Sequence, residues 1–133
     1  MKLTRASSYA LHAVEYMAAR GEDTPVASHH IAEARGIPER FLLKVLKPLV
    51  SARLLHSVKG PNGGYRLARP ASDITMLEIL EAVDGPIRGQ APLAGERGRG
   101  DLDPRLEVIC DKAAALLRKQ LSKVRVSDLV SHN

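Results

Sequence analysis

The residues best suited to chemistry in this chain are cations and glycines rather than acids or thiols. Arg40, Lys44 and Lys47 recur at spacings of four and three in a short helical pattern. Lys59 stands directly before the run Gly60-Pro61-Asn62-Gly63-Gly64. Arg and Lys donate to phosphate oxygens and to O6 and N7 of guanine. At least one of the three helical cations is expected to touch only phosphate. A cation at a tight turn between strands suits the narrow minor groove, where the potential is most negative; the plainer alternative for Lys59 is a solvated side chain. Asn62, Gly63 and Gly64 are expected to shape the turn rather than read bases, with a backbone able to approach phosphate closely. Tyr65 should divide between core and interface. Ser28, His29 and His30 open the preceding helical pattern, where donors and the dipole favour a phosphate. The paired histidines would alternatively bind a metal or sense pH, but neighbours on a helix diverge by about 100°, which disfavours joint ligation. Arg5, in the first helical pattern, is a further candidate for backbone phosphate.

Other chemistries find little support. No paired carboxylates, no nucleophile with an ordered base and no phosphate-cradling loop before a helix stand out, so an enzyme is not expected. The glycine-rich run joins two strand patterns and does not fit a nucleotide-binding glycine motif. A single cysteine, Cys110, excludes a disulfide framework and a self-contained cysteine metal site. Next to Ile109 in a long helical pattern, it reads as a buried, inert thiol. The alternative is a redox switch through a symmetric disulfide between subunits, with Lys112 favouring the thiolate and Asp111 opposing it. Arg97, Arg99 and Arg105 with Asp101 and Asp103 form either a solvated loop or a site for a small anion or partner.

These residues need a scaffold, and the patterning supplies one. A first helix is expected from about Thr4 to Ala19, with Tyr9, Leu11, Ala13, Val14, Met17 and Ala18 on its apolar face. A short helix from Ser28 to Arg35 stops at Gly36. Pro38 and Glu39 open a third, because Pro in the first turn loses no hydrogen bond and Glu suits the positive end of the dipole. Phe41, Leu42, Val45, Leu46 and Leu49 are spaced as its core stripe, and Pro48 should bend its last turn. Leu55 to Leu67 then reads as strand, turn, strand. Thr75-Met76-Leu77-Glu78 is a capping-box pattern that starts a short helix ending at Gly85. Residues 86–104 are rich in Gly, Pro, Arg and Asp and are expected to be a mobile loop. A last long helix follows, from about Asp103 or Pro104 to Ser122. Leu106, Ile109, Ala113, Leu116, Leu117 and Leu121 recur along it in threes and fours. That stripe comes after the compact domain, and a second copy of the chain is the simplest cover for it. Val126 to Val130 suits a short terminal turn.

Composition agrees. The chain has 133 residues, 44% hydrophobic but only 3% aromatic and without Trp, so the core must be aliphatic. Residues 1–70 hold 11 Lys/Arg against 5 Asp/Glu, a balance of +6. Residues 71–133 hold 9 against 10, a balance of −1, which together make the total of +5. The excess lies with the helix-turn-helix pattern, as contact with phosphate requires. No apolar run reaches the length of a membrane span and no signal-peptide pattern opens the chain, so a cytoplasmic location is expected.

In its motifs the chain resembles the Rrf-type winged helix-turn-helix transcription regulators, the family of IscR, NsrR and CymR. The opening helix with Ser8-Tyr9-Ala10-Leu11 fits, as do Ile31-Ala32-Glu33 before Gly36-Ile37-Pro38, and Phe41-Leu42 through Leu46-Lys47-Pro48-Leu49. The most specific block is the wing, Val58-Lys59-Gly60-Pro61-Asn62-Gly63-Gly64-Tyr65-Arg66-Leu67. Ile74-Thr75 to Gly85 and Val126-Ser127-Asp128-Leu129 follow in the family's order. The resemblance implies a homodimeric repressor or activator, with the third helix in the major groove and the wing at the minor groove. Many members hold an iron–sulfur cluster on three cysteines in the interval corresponding to Pro86–Pro104. That interval has no cysteine here, and His12, His29, His30, His56 and His132 do not restore the pattern. The chain therefore resembles the cluster-free branch. Ala27 stands where the family has a capping Ser, and Arg53 where it has Gly. Leu43 and Lys44 replace Glu and Gln of cluster-bearing members, which implies a different target sequence.

The expected fold is mainly α with one small β-hairpin: a winged helix-turn-helix DNA-binding domain over 1–85, a flexible loop over 86–104, and a dimerisation helix with a C-terminal turn over 105–133. The expected partners are double-stranded DNA, a second copy and a small-molecule or protein effector, with no membrane and no cofactor. Two alternatives stay open: a thiol-responsive regulator acting through Cys110, and a winged-helix module that docks on a partner enzyme.

Overall fold

Thr4 opens the first helix by its own side chain. Its Oγ1 accepts the Ser7 amide, and α1 runs Arg5–Arg20 before Gly21 turns the chain in the left-handed region. The computed structural model describes residues 1–21, 23–90 and 100–130. Helices α2 (Ser28–Arg35) and α3 (Glu39–Ser51) follow, then strands β1 (Leu55–Val58) and β2 (Gly64–Leu67). A 3-10 turn, Ala71–Asp73, leads to α4 (Met76–Asp84), α5 (Leu102–Leu121) and α6 (Val126–Leu129).

β1 and β2 pair antiparallel, with Leu55 opposite Leu67 and Val58 opposite Gly64. Val26 extends this ladder beyond the hairpin: it exchanges both backbone bonds with Tyr65 at 2.9 Å. The segment before α2 is thereby fastened to the wing. The core is aliphatic, built from Ala10, Ala13 and Val14 of α1, Ile31 of α2, Leu42, Leu46 and Leu49 of α3, and Leu54, Leu55, Ile74 and Ile79. Val126 joins this same core. The Val126 amide donates to Ile74 and the Met76 amide to Val124, so the C-terminal turn docks where α4 begins.

The Thr75 capping box forms as the sequence predicts: Thr75 Oγ1 accepts the Glu78 amide and Glu78 accepts the Thr75 amide. Asp84, at the other end of α4, accepts bonds from Thr4 and from buried Ser7 at 2.6 Å. Its charge lies at the positive end of α1 and locks the two helices together. α3 continues through Pro48 to Ser51. It ends on Arg53, whose φ of 61° makes it the one non-glycine residue in the left-handed region among those described.

Three expectations change. Phe41 leaves the core stripe and is 37% exposed, because the apolar face of α3 is narrower than five residues and closes on Leu42, Val45, Leu46 and Leu49. α5 begins at Leu102, inside the segment expected to be loop and before the boundary expected at 105. Pro104 falls in its first turn, where a missing amide hydrogen breaks no bond. Leu121, expected at a dimer face, is only 6% exposed and packs within its own chain. Of the expected loop, residues 91–99 lie outside the described residues, and so does His132.

Candidate nucleic-acid interface

The interface is built from the helix-turn-helix outwards. Gly36, at φ 65°, ends α2, and the Ile37 amide returns to the Ala32 carbonyl at 3.0 Å. Buried Ile37 pins this turn, and the Pro38 carbonyl accepts the Phe41 and Leu42 amides to start α3. Ser28 Oγ donates to Glu39 at 2.7 Å, tying the start of α2 to the start of α3. Ser28, expected at phosphate, spends its hydroxyl on this internal bond. Ala27 gives α2 no side-chain cap. Arg35 closes the other end of α2 by bonding Glu15 and His12 of α1 and stacking on Tyr16.

With the inward side of α3 committed to the core, Arg40, Lys44 and Lys47 all emerge exposed. None of the three is in an ion pair with a described residue. Arg40 and Lys44 both lie over the Phe41 ring, at 4.7 and 5.7 Å from its centroid. Sequence reasoning assigned Phe41 to the core and missed this cluster; the i−1 and i+3 spacing of the two cations from an aromatic was the available signal. His29 and His30 are exposed at the start of α2, with ring centroids 4.3 Å apart and edge-on. The side chains thus bend together although the backbone directs them apart. Among the described residues no group of three or more His, Cys, Asp or Glu is placed to hold a metal ion.

The wing depends on backbone proximity. A Cβ on Gly63 would lie 2.1 Å from the Val58 carbonyl oxygen, and one on Gly64 would lie 2.3 Å from that of Val26. Both positions exclude side chains because other backbone already occupies the space. Gly63 lets the turn close on itself, and Gly64 lets the Val26 backbone approach the wing. Lys59, Gly60, Pro61 and Asn62 are exposed at the tip, while Tyr65 is half-buried against the core. Arg5 is exposed on the first turn of α1.

A second surface lies on α5. Leu106, Ile109 and Leu116 are 38%, 60% and 69% exposed, and Ala113 is exposed beside them. Leu102 and Val108 are also exposed and were not in the expected set. Leu117 and Cys110 are half-buried. The helix is tethered by its C-terminal half. Arg118 donates to both carboxylate oxygens of Glu81 at 3.0 and 3.1 Å, and the Ile87 amide donates to the same group. These bonds, Arg118 foremost, hold the Glu81 carboxyl below its ordinary value against the opposing effect of burial. Gly89 lies so close to α5 that a Cβ would stand 2.3 Å from the Asp111 nitrogen. Among the described residues no helix is long and apolar enough to cross a membrane.

The family model described as "Rrf2: Iron-dependent Transcriptional regulator" matches residues 3–132. Protein aau3 of Rhizobium meliloti (strain 1021) is 38% identical over 122 residues, which span 92% of this chain and 75% of that protein. The HTH-type transcriptional regulator IscR of Vibrio atlanticus (strain LGP32) is 40% identical over 84 residues, 63% of this chain and about half (49%) of IscR. Among solved structures, CymR (YrzC), the global cysteine regulator of B. subtilis, superposes with a TM-score of 0.80. It covers 100% of this chain and 98% of CymR at 24% identity, a likeness of fold. The chain belongs to the Rrf2 family, whose members are transcription regulators and not enzymes.

Proposed function

We propose that this Rrf2-family regulator acts as a homodimeric repressor on a palindromic operator and works without an iron–sulfur cluster. The outward face of α3 carries the reading: three exposed cations in no ion pair with a described residue, on a helix whose other side is fixed in the core. That face suits the major groove, with Arg40, Lys44 and Lys47 donating to bases and phosphates. Lys59 at the wing tip suits the adjacent minor groove. Exposed Arg5, His29 and His30 suit flanking phosphate. The exposed stripe of α5 suits a second copy, which would relate two recognition helices by a two-fold axis and so favour a palindromic site.

The family is named for iron dependence, and the cysteine count of this chain supports a departure from it. Cluster ligation needs several thiolates converging on iron, whereas the sequence contains Cys110 alone. The signal is then a small molecule, a protein partner, or an oxidant of Cys110 itself, which lies half-buried at the edge of the α5 stripe.

Selection of bound genomic fragments by the purified protein, with and without reductant, tests the reading. A palindromic motif enriched in both states supports a cluster-free regulator. A motif in one redox state alone assigns the signal to Cys110. No enrichment, even at low salt, refutes DNA binding and favours docking on a protein. On the selected site Lys59→Ala should weaken binding about tenfold at moderate salt with the fold intact; unchanged affinity in a titration refutes its role.

A further inference from the structure

The cluster at the start of α3 has a feature that a solvated basic face does not need. Adjacent residues on a helix do not normally face each other, yet the Arg40 guanidinium lies over the ring of its neighbour Phe41, and Lys44 approaches the same ring. Two like charges are gathered on one aromatic, with no ion pair to either among the described residues. The nearby acid, Glu39, is engaged by Ser28. Phe41 is 37% exposed, so the ring belongs to this surface. Ring faces attract cations, and side chains already ordered lose less freedom on binding. Arg is the side chain that pairs with O6 and N7 of guanine through two donors.

We infer that Phe41 is a positioning residue: its ring holds Arg40 and Lys44 as one preformed donor pair for a guanine edge in the major groove. The inference rests on the DNA-binding reading above and adds what sets target discrimination. Affinity for phosphate comes from charge and is retained without the ring. Discrimination among bases comes from the direction in which the cations point and is lost with it.

The test uses the full chain and an operator selected from a random duplex library. Binding of Phe41→Leu and Phe41→Tyr is compared on that operator and on an unrelated duplex, over a salt series. Phe41→Leu is expected to lose about tenfold on the operator, with the unrelated duplex and the salt slope unchanged. Phe41→Tyr, which keeps an aromatic face, restores operator binding. Replacing single operator guanines by 7-deazaguanine removes the N7 acceptor but not base pairing. At one guanine this costs the parent about tenfold and costs Phe41→Leu much less. Equal discrimination by Phe41→Leu, failure of Phe41→Tyr to rescue, or no sensitivity to 7-deazaguanine in the parent overturns the inference. The last measurement does not depend on how well Phe41→Leu folds. If the parent selects no duplex at all, the DNA-binding reading falls first, and that result is visible without any variant.

Discussion

Helices α3 and α5 carry similar aliphatic stripes and place them in opposite surroundings. In α3, Leu42, Leu46 and Leu49 are fully shielded by α1, α4 and the strands. In α5, Leu106, Ile109 and Leu116 remain open and only Leu121 is buried. The difference lies in what surrounds each helix rather than in its periodicity. α3 is enclosed by elements that precede and follow it closely in the chain. α5 is held through its C-terminal half by Arg118 on Glu81 and by Leu121, and near its middle by the approach of Gly89 to Asp111. An apolar stripe specifies that something must cover it; the tertiary arrangement decides whether that cover is intramolecular.

Matched truncations test this contrast most strongly. Leu46→Ala should cost about 2–5 kcal/mol in urea unfolding, through lost transfer energy and a cavity. Leu116→Ala should change unfolding of the dilute protein by less than about 0.5 kcal/mol. Equal losses would mean that α5 is as much a part of the core as α3. A sharper form charges the open stripe. In the proposed dimer, Leu116→Arg should raise the dissociation constant at least about tenfold in sedimentation velocity, since a buried unpaired charge is costly. A variant that stays dimeric at micromolar concentration would place the partner surface elsewhere.

The tether of α5 predicts a pH dependence. Arg118, and then the Ile87 amide, keep the Glu81 carboxyl below its ordinary value of 4.5. A lowered folded value contributes stability that is present above the unfolded value and is lost as pH falls through the folded one. Thermal melting from neutral to acid pH should therefore show a decline beginning near and below the ordinary carboxyl range. Glu81→Gln should flatten part of it. Glu78 is an internal control within the helix-turn-helix body. Burial raises its carboxyl, but bonds from Arg69 and Thr75 together outweigh this and lower it. Its share of the acid loss should persist in Glu81→Gln; an unchanged acid profile would show that the α5 tether carries no linkage.

The smallest expected effect lies at the end of α3. Arg53 occupies a left-handed conformation that costs a residue with a Cβ about 1–2 kcal/mol, and glycine's greater freedom when unfolded offsets part of the gain. Arg53→Gly should stabilise by about 0.5–1 kcal/mol in chemical denaturation. A loss would mean that the Arg53 side chain contributes more than the strain removes.

Much of this was legible in the residues themselves. Gly36, the Thr75-to-Glu78 box and the Gly60–Gly64 run are local signals, because caps and turns are satisfied within four or five residues of chain. They placed the helix-turn-helix and wing, and with them Arg40, Lys44, Lys47 and Lys59. Phe41 escapes such signals, because hydrophobicity alone does not separate a core aromatic from one that serves as a platform for neighbouring cations. Ser28 reads as a donor for phosphate in the sequence, whereas its partner in the fold, Glu39, lies across the turn. By spacing Leu121 belongs with the open stripe, and helical spacing cannot show that α5 turns its last leucine inward.

Local spacing and composition suffice for the main helices, the hairpin and their order, for the basic bias of the first 70 residues, and for the shortage of thiolates for a cluster. Each follows from local chemistry or from composition. Folding of the whole chain is needed for Val26 to complete the ladder at Tyr65, for Val126 to return to the core beside Ile74, and for Gly64 to face the Val26 backbone. Those contacts join residues distant in the chain, and their partners are set by the packing of all the helices together, which no local spacing encodes.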